Sequence, residues 1–330
     1  MRLARDHKVT HRLPVIAQTT VHVATRYGVL VAWVAVVLIY GMFAGGIFLQ
    51  RANFATIFST QSVLLILTLA MLPGLAAGEY DLSIAATMGI SYVVVGWLNI
   101  VQGWAIGPTI MVAVSSALLV GIVNAIVIVV LDVPSLVATL GMGTLLAGLA
   151  LGINNTIVAG VAQPLVTAAR LPILGLEASF YYGLTLTCLL WYITRYTPLG
   201  RYIYFVGSGR DVARLAGIRV ESIRAGTLIA GSVVAGLDGV LLAGRFGSVD
   251  PNFAPGLLLP AFAGAFLGST TVTPGRFNPW GTFIAVYFLA TGINGLELMG
   301  ITGWVEQVFF GGALIVGVVI SRLAARREVA

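Results

Sequence analysis

The sequence predicts an all-α polytopic membrane protein with about ten transmembrane helices. Hydrophobic residues make up 58% of the 330 residues and charged residues only 9%, whereas a soluble domain carries about 25% charge. The apolar residues form long runs separated by short polar intervals, and the basic residues concentrate in a few of those intervals. Because no soluble core could hold this much apolar surface, the natural solvent of the chain is a lipid bilayer.

Each apolar run is assigned by length, since a spanning helix needs about 20 mostly apolar residues. Pro134 opens the fifth run, where proline suits the first turn of a helix. The turn-rich stretch TTVTPGRFNPWG shortens the eighth and ninth runs, which predicts that one or both are broken or re-entrant. The predicted spans are Gly28–Leu49, Thr60–Ala77, Asp81–Val101, Ile106–Leu131, Pro134–Ile153, Phe180–Thr194, Ala225–Ala243, Leu257–Val272, Asn278–Asn294 and Trp304–Ser321.

The basic residues give the orientation of these spans. Ten spans form a single membrane domain, 28–321, and place three basic segments on one side: the tail 1–27, the loop 195–224 and the tail 322–330. That side holds 15 of the 18 basic residues, and only Arg51, Arg170 and Arg245 fall opposite. The positive-inside rule makes it the cytoplasm. We therefore expect a multi-pass membrane protein with both termini in the cytoplasm.

Several functions are disfavoured by what the sequence lacks. It has no G-x-x-x-x-G-K-[ST] phosphate loop, so we expect no ATP hydrolysis by this chain. All three histidines lie within the first 22 residues, and Cys188 is the single cysteine. Neither a metal site nor a nucleophile–histidine pair is predicted, and no cofactor is expected. The basic residues are explained by membrane topology rather than by binding of nucleic acid.

Four segments, in order, carry a resemblance to a known family. They are GEYDLSIA at 78–85, VPSLVATLGMGTLLAGLA at 133–150, TPLGRYIYFVGSGRDVARLAGIRV at 197–220 and RFGSVDPNFAPGLLLPAFAGAFLGST at 245–270. Together they resemble the permease subunits of bacterial ATP-binding-cassette importers of the ribose, xylose, galactose and autoinducer type. The chain departs from the family's G-G-I-D-L-S-V-G pattern at Glu79, Tyr80 and Ala85.

The resemblance implies partners and a mechanism. Two ATPase subunits and a second permease subunit, identical or paralogous, would complete the transporter. An external solute-binding protein would deliver a sugar, a polyol or a sugar-like signal molecule. The loop 195–224 would be the cytoplasmic coupling loop, which seats in a groove on the ATPase and transmits ATP-driven closure to the helices.

Within that loop, a short helix is expected between glycine breaks. Gly207 and Gly209 break the chain, Asp211 lies in the first turn where it favours the helix dipole, and Gly217 ends the helix. Arg201, Arg210 and Arg214 would then meet acceptors on the ATPase, and arginine at Ala213 or Gly217 would abolish transport while the protein still inserts. The alternative is a loop that only fixes topology or binds anionic lipid.

Polar residues within apolar runs are the candidates for the pathway or gate. Asp81 and Ser83 begin the third run, and Asp81 is alternatively a helix N-cap. Asn124 and Asn294 either pack helices together or line a polyol pathway, since a buried amide needs hydrogen-bond partners. Asp238 either pairs with an arginine, is hydrated in a cavity or relays a proton.

Two other functional classes stay open at this point. An ion-coupled secondary transporter would work without an ATPase and would need intramembrane ionisable groups, of which Asp238 is the one candidate. A non-transporting membrane scaffold or enzyme is the third class, and the lack of a catalytic constellation argues against the enzyme.

Overall fold

The computed structural model describes the backbone of residues 15–329 and the side chains of residues 27–44 and 46–320. The side chains of both predicted basic tails, apart from Tyr27, lie outside the described residues. The first helices are α1 Val15–Phe43, α2 Gly45–Phe48, α3 Arg51–Thr60, α4 Ser62–Ala76, α5 Ile84–Val95, α6 Ile106–Ala125, α7 Ser135–Ile153 and α8 Gln163–Arg170. They are followed by α9 Ala178–Tyr196, α10 Pro198–Ser208, α11 Arg210–Leu215, α12 Val220–Phe246, α13 Leu258–Gly268, α14 Pro279–Leu298 and α15 Trp304–Val329. Helices α5 and α6 continue as π-helical turns over Gly96–Val101 and Ile126–Val130, and a 3₁₀ turn over Ala254–Leu257 precedes α13.

Length and composition support an all-α membrane protein. Among the described residues, six helical segments are long and apolar enough to cross a membrane. They are Arg51–Ala76, Ile84–Val101, Ile106–Val130, Ser135–Ile153, Val220–Phe246 and Pro279–Leu298. Three shorter apolar helices cover Tyr27–Phe43, Ala254–Gly268 and Trp304–Ile320.

Several predicted boundaries need correction. The first helix begins at Val15 rather than at Gly28, and it ends at Phe43, just before the pair Gly45-Gly46. The predicted ninth span is neither short nor broken, because α14 runs without interruption for 20 residues. The predicted eighth span is short in the structure, since α13 ends at Gly268 and has only 11 residues. At 1.5 Å per residue, such a helix is about half as long as the hydrocarbon core is thick.

Helix α12 lies at the centre of the fold and packs against α4, α5 and α6. Small residues make these contacts close. A Cβ atom at Gly231 would lie 2.8 Å from the carbonyl oxygen of Ala70 on α4, and one at Gly121 on α6 would lie 2.8 Å from the Cβ of Ser232. Small residues at helix contacts are how membrane helices approach one another closely, which accounts for part of the chain's 40 glycines.

Two segments predicted to lie outside the cell come together through a short antiparallel pairing. Strand β1, Val158–Ala159, pairs with β4, Ser248–Val249, so that Val158 lies opposite Val249. Strands β2, Pro172–Ile173, and β3, Leu176–Glu177, form a second pair between α8 and α9. This end of the molecule also carries an ion pair, in which Arg245 Nε donates to Glu177 Oε2 at 3.1 Å.

The predicted coupling loop folds into two helices at the opposite end. Thr197 is the N-cap of α10 and accepts a hydrogen bond from Gly200 N at 3.4 Å, with Pro198 in the first turn. Gly209 separates α10 from α11. Gly207, predicted to be a break, lies inside α10, and a Cβ atom there would overlap the carbonyl oxygen of Ala76 at the end of α4.

We expect Gly207→Ala to destabilise the protein by about 1–3 kcal/mol, the typical cost of overpacking. Alanine favours a helix by about 1 kcal/mol over glycine. A loss of stability in Gly207→Ala would therefore show that the close contact with Ala76 outweighs helix propensity. Gly209→Ala is the matched control, because its Cβ atom would meet only the Val212 side chain at 3.8 Å. Thermal unfolding of the purified variants in detergent measures the difference. Equal transition temperatures for the two variants would contradict the prediction.

Candidate functional site

The candidate site centres on the 78–83 segment, the irregular stretch Gly78–Ser83 that joins α4 to α5. Its polar side chains are deeply buried: Glu79 is 1% exposed, Asp81 6% and Ser83 0%. Gly78 adopts a φ of +81°, which suits glycine. Non-helical backbone at membrane depth is tolerated only where protein or a cavity surrounds it and satisfies its polar groups.

Helix α7 satisfies much of the backbone of the 78–83 segment. Ser135 Oγ accepts a hydrogen bond from Tyr80 N at 3.3 Å, and Thr139 Oγ1 accepts one from Leu82 N at 2.9 Å. Ser135 and Thr139 are four residues apart, so they share one face of α7. The motifs GEYDLSIA and VPSLVATLG, separate in sequence, therefore form one structural unit.

A buried hydrogen-bonded chain joins this segment to α6. Asp81 Oδ1 accepts from Ser83 N at 2.8 Å and from Ser83 Oγ at 2.6 Å. Asn124 Nδ2 donates to Ser83 Oγ at 2.9 Å, and Asn124 is 1% exposed. The structure therefore brings together three of the five predicted pathway residues. The interpretation of Asp81 as the helix N-cap is wrong, because α5 begins at Ile84 and Ser83 occupies the N-cap position.

An ion triad ties the same segment to the predicted coupling loop. Arg224 Nε, in the first turns of α12, donates to Glu79 Oε1 at 2.5 Å. Arg210 is the first residue of α11. Its Nη2 atom donates to the same oxygen of Glu79 at 2.7 Å and to the carbonyl oxygen of Gly78 at 3.4 Å. The Arg224 side chain is 8% exposed and that of Arg210 is 42% exposed. A buried carboxylate is stable only with such partners, because isolated burial of its charge is costly.

Helix α11 packs one face inward and leaves another exposed. Ala213 is fully buried and packs with Val206 and Val220, so we expect an arginine there to disturb the packing of α11 as well as transport. Val212 is 60% exposed and Leu215 90% exposed. These two are the apolar residues that α11 presents outward.

Three further residues are predicted to act in the coupling loop: Arg201, Arg214 and Gly217. Arg214 and Gly217 form hydrogen bonds within the described chain, and Arg201 lines a cavity. Arg214 Nη2 donates to Glu221 Oε1 at 2.6 Å, and this hydrogen bond raises the pKa of the Arg214 guanidinium. Gly217 ends α11 with a φ of +80°, and its N–H donates to the carbonyl oxygen of Arg214 at 3.0 Å. Arg201 lies apart from the triad and lines a cavity between α9 and α10.

Two predicted pathway residues lie elsewhere. Asn294 Oδ1 accepts a hydrogen bond from Asn53 Nδ2 at 3.0 Å, an arrangement that packs α14 against α3 and favours the structural role. Asp238 is 1% exposed, and neither of its carboxyl oxygens has a hydrogen-bond partner among the described residues. It lines an apolar cavity of about 390 Å³ with residues of α4, α8 and α9.

Sequence reasoning missed several residues of this site. They are the triad members Glu79 and Arg224, the acceptors Ser135 and Thr139, and the exposed pair Val212 and Leu215. Glu79 had one available signal, since it is an acid at a position where the resembled family has glycine. Ser135 and Thr139 had another, because their spacing of four within a motif places two hydroxyls on one helix face.

The buried 78–83 segment contacts α6 and α7 and is joined through Arg210 to α11. A helical membrane protein therefore holds a buried polar cluster in contact with a surface helix. Residues 53–318 match the family described as the branched-chain amino acid transport system permease component. The chain belongs to this family, and the resemblance read from its motifs is confirmed.

Named relatives agree with this assignment. The chain is 32% identical to the probable ABC transporter permease protein YphD of Escherichia coli, over 60% of each chain. It is 25% identical to the D-allose transport system permease protein AlsC of Escherichia coli, over 91% of this chain and 93% of AlsC. It is 26% identical to the fructose import permease protein FrcC of Rhizobium meliloti, over 89% of this chain and 84% of FrcC. No solved structure gives a significant match.

We expect Glu79→Ala to destabilise the protein by about 3–5 kcal/mol, because it leaves the buried Arg224 without a counter-charge. Asp211→Ala is the control, since the 95% exposed Asp211 side chain pairs with Arg214 at 3.4 Å and exposed pairs contribute little. Unfolding of both variants in mixed micelles gives the comparison. Comparable stability losses in the two variants would show that the buried ion triad contributes no more to stability than an exposed ion pair.

Proposed function

We propose that this chain is the membrane permease subunit of an ATP-binding-cassette importer. It would cross the inner membrane about ten times, with both termini and α10–α11 in the cytoplasm. Two copies, or this chain and a paralogue, would form the pathway. Two separate ATPase subunits would supply energy, and an external binding protein would deliver the solute. The family match and the relatives named as transport permeases support this assignment.

One observation carries the mechanism: α11 exposes Val212 and Leu215, while its first residue, Arg210, is bonded to the buried Glu79. Exposed apolar side chains on a short surface helix are typical of a docking site. Because the same helix is ionically joined to the 78–83 segment, force applied to α11 would reach that segment without an intervening flexible linker.

In this mechanism, ATP-driven closure of the ATPase pair displaces α11 and, through Arg210 and Glu79, the 78–83 segment. The segment contacts α6 through Asn124 and α7 through Thr139. Displacing it would therefore reposition two membrane helices at once. Alternating access needs such an element with two arrangements, biased by the partner. In this proposal α11 docks through its outward apolar face, and the contacts of Arg201, Arg210 and Arg214 with the ATPase stay a prediction.

The solute class rests on relatives rather than on this site. AlsC and FrcC are named for D-allose and fructose, and another relative, 25% identical over 83% of this chain, is named the autoinducer 2 import system permease protein LsrC. We propose a sugar, a polyol or a sugar-like signal. The binding protein would dock at the end that carries the β1–β4 pairing and the Arg245–Glu177 ion pair.

We expect Leu215→Asp to lower recovery of the ATPase subunit with the tagged chain at least tenfold, because burial of a leucine at an interface contributes roughly 1.5–3 kcal/mol. Leu174→Asp is the matched control, since Leu174 is 86% exposed at the opposite end of the molecule. The measurement is purification from native membranes in mild detergent, with the partner identified by mass and by ATP hydrolysis. Undiminished recovery with Leu215→Asp would overturn the docking role of α11.

The alternative function is an ion-coupled carrier, and the observation that favours it is the buried carboxyl group of Asp238, which has no hydrogen-bond partner among the described residues. Substitution of Asp238 therefore distinguishes the two mechanisms. We expect Asp238→Asn to leave ATP-dependent uptake within about twofold of the unmodified protein, because Asp238 lies outside the 78–83 cluster. Uptake of radiolabelled D-allose and D-fructose, with and without a protonophore, is the assay. If uptake is lost in Asp238→Asn and is abolished by the protonophore, the carrier mechanism is correct.

A further inference from the structure

A cavity of about 730 Å³ lies between the end of α9, the length of α10 and the turn that precedes α14. We name it the arginine cavity, because Arg195, Arg201 and Arg276 line it from these three segments. Tyr204 Oη donates to the carbonyl oxygen of Phe277 at 2.5 Å and so joins α10 to the turn at its wall. The volume of the arginine cavity falls within the range of small-molecule sites.

The three arginines lack a counter-charge in the described part of the chain. None of their guanidinium groups takes part in any hydrogen bond or ion pair found there, and no carboxylate lines the cavity. The sequence explains this, because residues 178–210 and 251–296 contain no aspartate or glutamate. Three like charges around one cavity repel one another, so an anion from outside the chain would relieve an unfavourable arrangement.

The three arginines at the opposite end behave differently. Arg245 is paired with Glu177, Arg170 Nε donates to the carbonyl oxygen of Arg245 at 2.7 Å, and Arg51 Nη2 donates to that of Leu174 at 3.4 Å. The arginines at that end therefore each have a partner, whereas the three that line the arginine cavity have none among the described residues.

The surroundings of the cavity indicate the source of the anion. Trp191 and Trp280 line it, and Tyr196 beside Arg195 is 60% exposed. Tryptophan and tyrosine concentrate at the level of lipid headgroups, and basic pockets between helices on the cytoplasmic side hold anionic headgroups. No residue of α11 lines the cavity, so it is separate from the surface proposed to dock the ATPase.

We propose that the arginine cavity binds the phosphate of an anionic phospholipid from the cytoplasmic leaflet. Guanidinium groups hold phosphate oxygens through charge-assisted hydrogen bonds, while the aromatic walls contact the glycerol and upper acyl chain. The bound lipid would brace α9 and α10 against the turn before α14. This assignment rests on the proposed orientation of α10 toward the cytoplasm, but not on the presence of an ATPase.

The experiment uses the purified full-length chain, delipidated in a maltoside detergent and titrated with phosphatidylglycerol or phosphatidylcholine. Native mass spectrometry counts bound lipid. We expect phosphatidylglycerol to bind at least tenfold more tightly than phosphatidylcholine. Arg201→Gln and Arg276→Gln should each weaken its binding about tenfold, a typical loss for a charge-assisted hydrogen bond. Arg201→Lys, which keeps the charge, should retain part of the affinity.

Arg219→Gln is the matched control, because Arg219 is an exposed arginine of the same loop that does not line the cavity. Its binding of phosphatidylglycerol should equal that of the unmodified chain. Thermal unfolding without added lipid should show no loss of stability in any variant, since the substituted guanidinium groups form no bond within the described chain.

Three results would overturn the proposal. Unchanged binding by Arg201→Gln and Arg276→Gln, or equal loss in Arg219→Gln, would show that the cavity holds no lipid phosphate. Arginine-dependent binding of inorganic phosphate without binding of phosphatidylglycerol would assign the site to a soluble anion. Variants that bind phosphatidylglycerol normally but fail to retain the ATPase would assign it to the subunit interface. Because the lipid titration uses the chain alone, its failure is distinguishable from failure of the proposed ATPase docking.

Discussion

The buried carboxylate of Glu79 is the constraint on which the packing of α11, α12 and the 78–83 segment depends. It is 1% exposed, and one of its oxygens accepts hydrogen bonds from both Arg210 and Arg224. Such an ion pair need not add net stability, since desolvation offsets much of the attraction. Its effect is positional: the departure of either arginine would leave the buried carboxylate with only one counter-charge. The triad thereby fixes the relative positions of α11, α12 and the 78–83 segment.

That segment imposes a second requirement, because it is irregular backbone within a membrane protein. Its amide and carbonyl groups cannot rely on water, so side chains of neighbouring helices must satisfy them. Ser135 and Thr139 do so, and Asn124 donates to the hydroxyl group of Ser83. The consequence is a single polar unit shared by α5, α6 and α7, enclosed by the apolar core. Small displacements of such a unit are not absorbed locally, because packed interiors transmit strain.

Hydropathy and turn-forming residues predict much of this architecture. The rest depends on contacts between residues far apart in sequence, which local patterns do not reveal. The spans of α6 and α7, the short α11 and its end at Gly217 follow from apolar runs and turn residues, which are local. Contacts between Glu79 and Arg224 join residues 145 apart, and no periodicity encodes them. Ala213 was assigned to the docking surface because a six-residue helix is too short for its pattern to reveal which face is buried. The sequence predicts a break at Gly207, because the close approach of Ala76 is visible only in three dimensions.

The structure also changes the physical picture of α11. The sequence predicts glycine breaks on both sides of this helix, but Ala213 packs with Val206 and Val220, and Arg210 is bonded to Glu79. A helix held at these points moves with its neighbours rather than independently of them. A partner protein that binds Val212 and Leu215 and moves α11 would therefore displace the start of α12 and the 78–83 segment together. The proposed coupling between α11 and the 78–83 segment requires that rigidity, because a helix free to rotate about its flanking glycines would transmit less of any displacement.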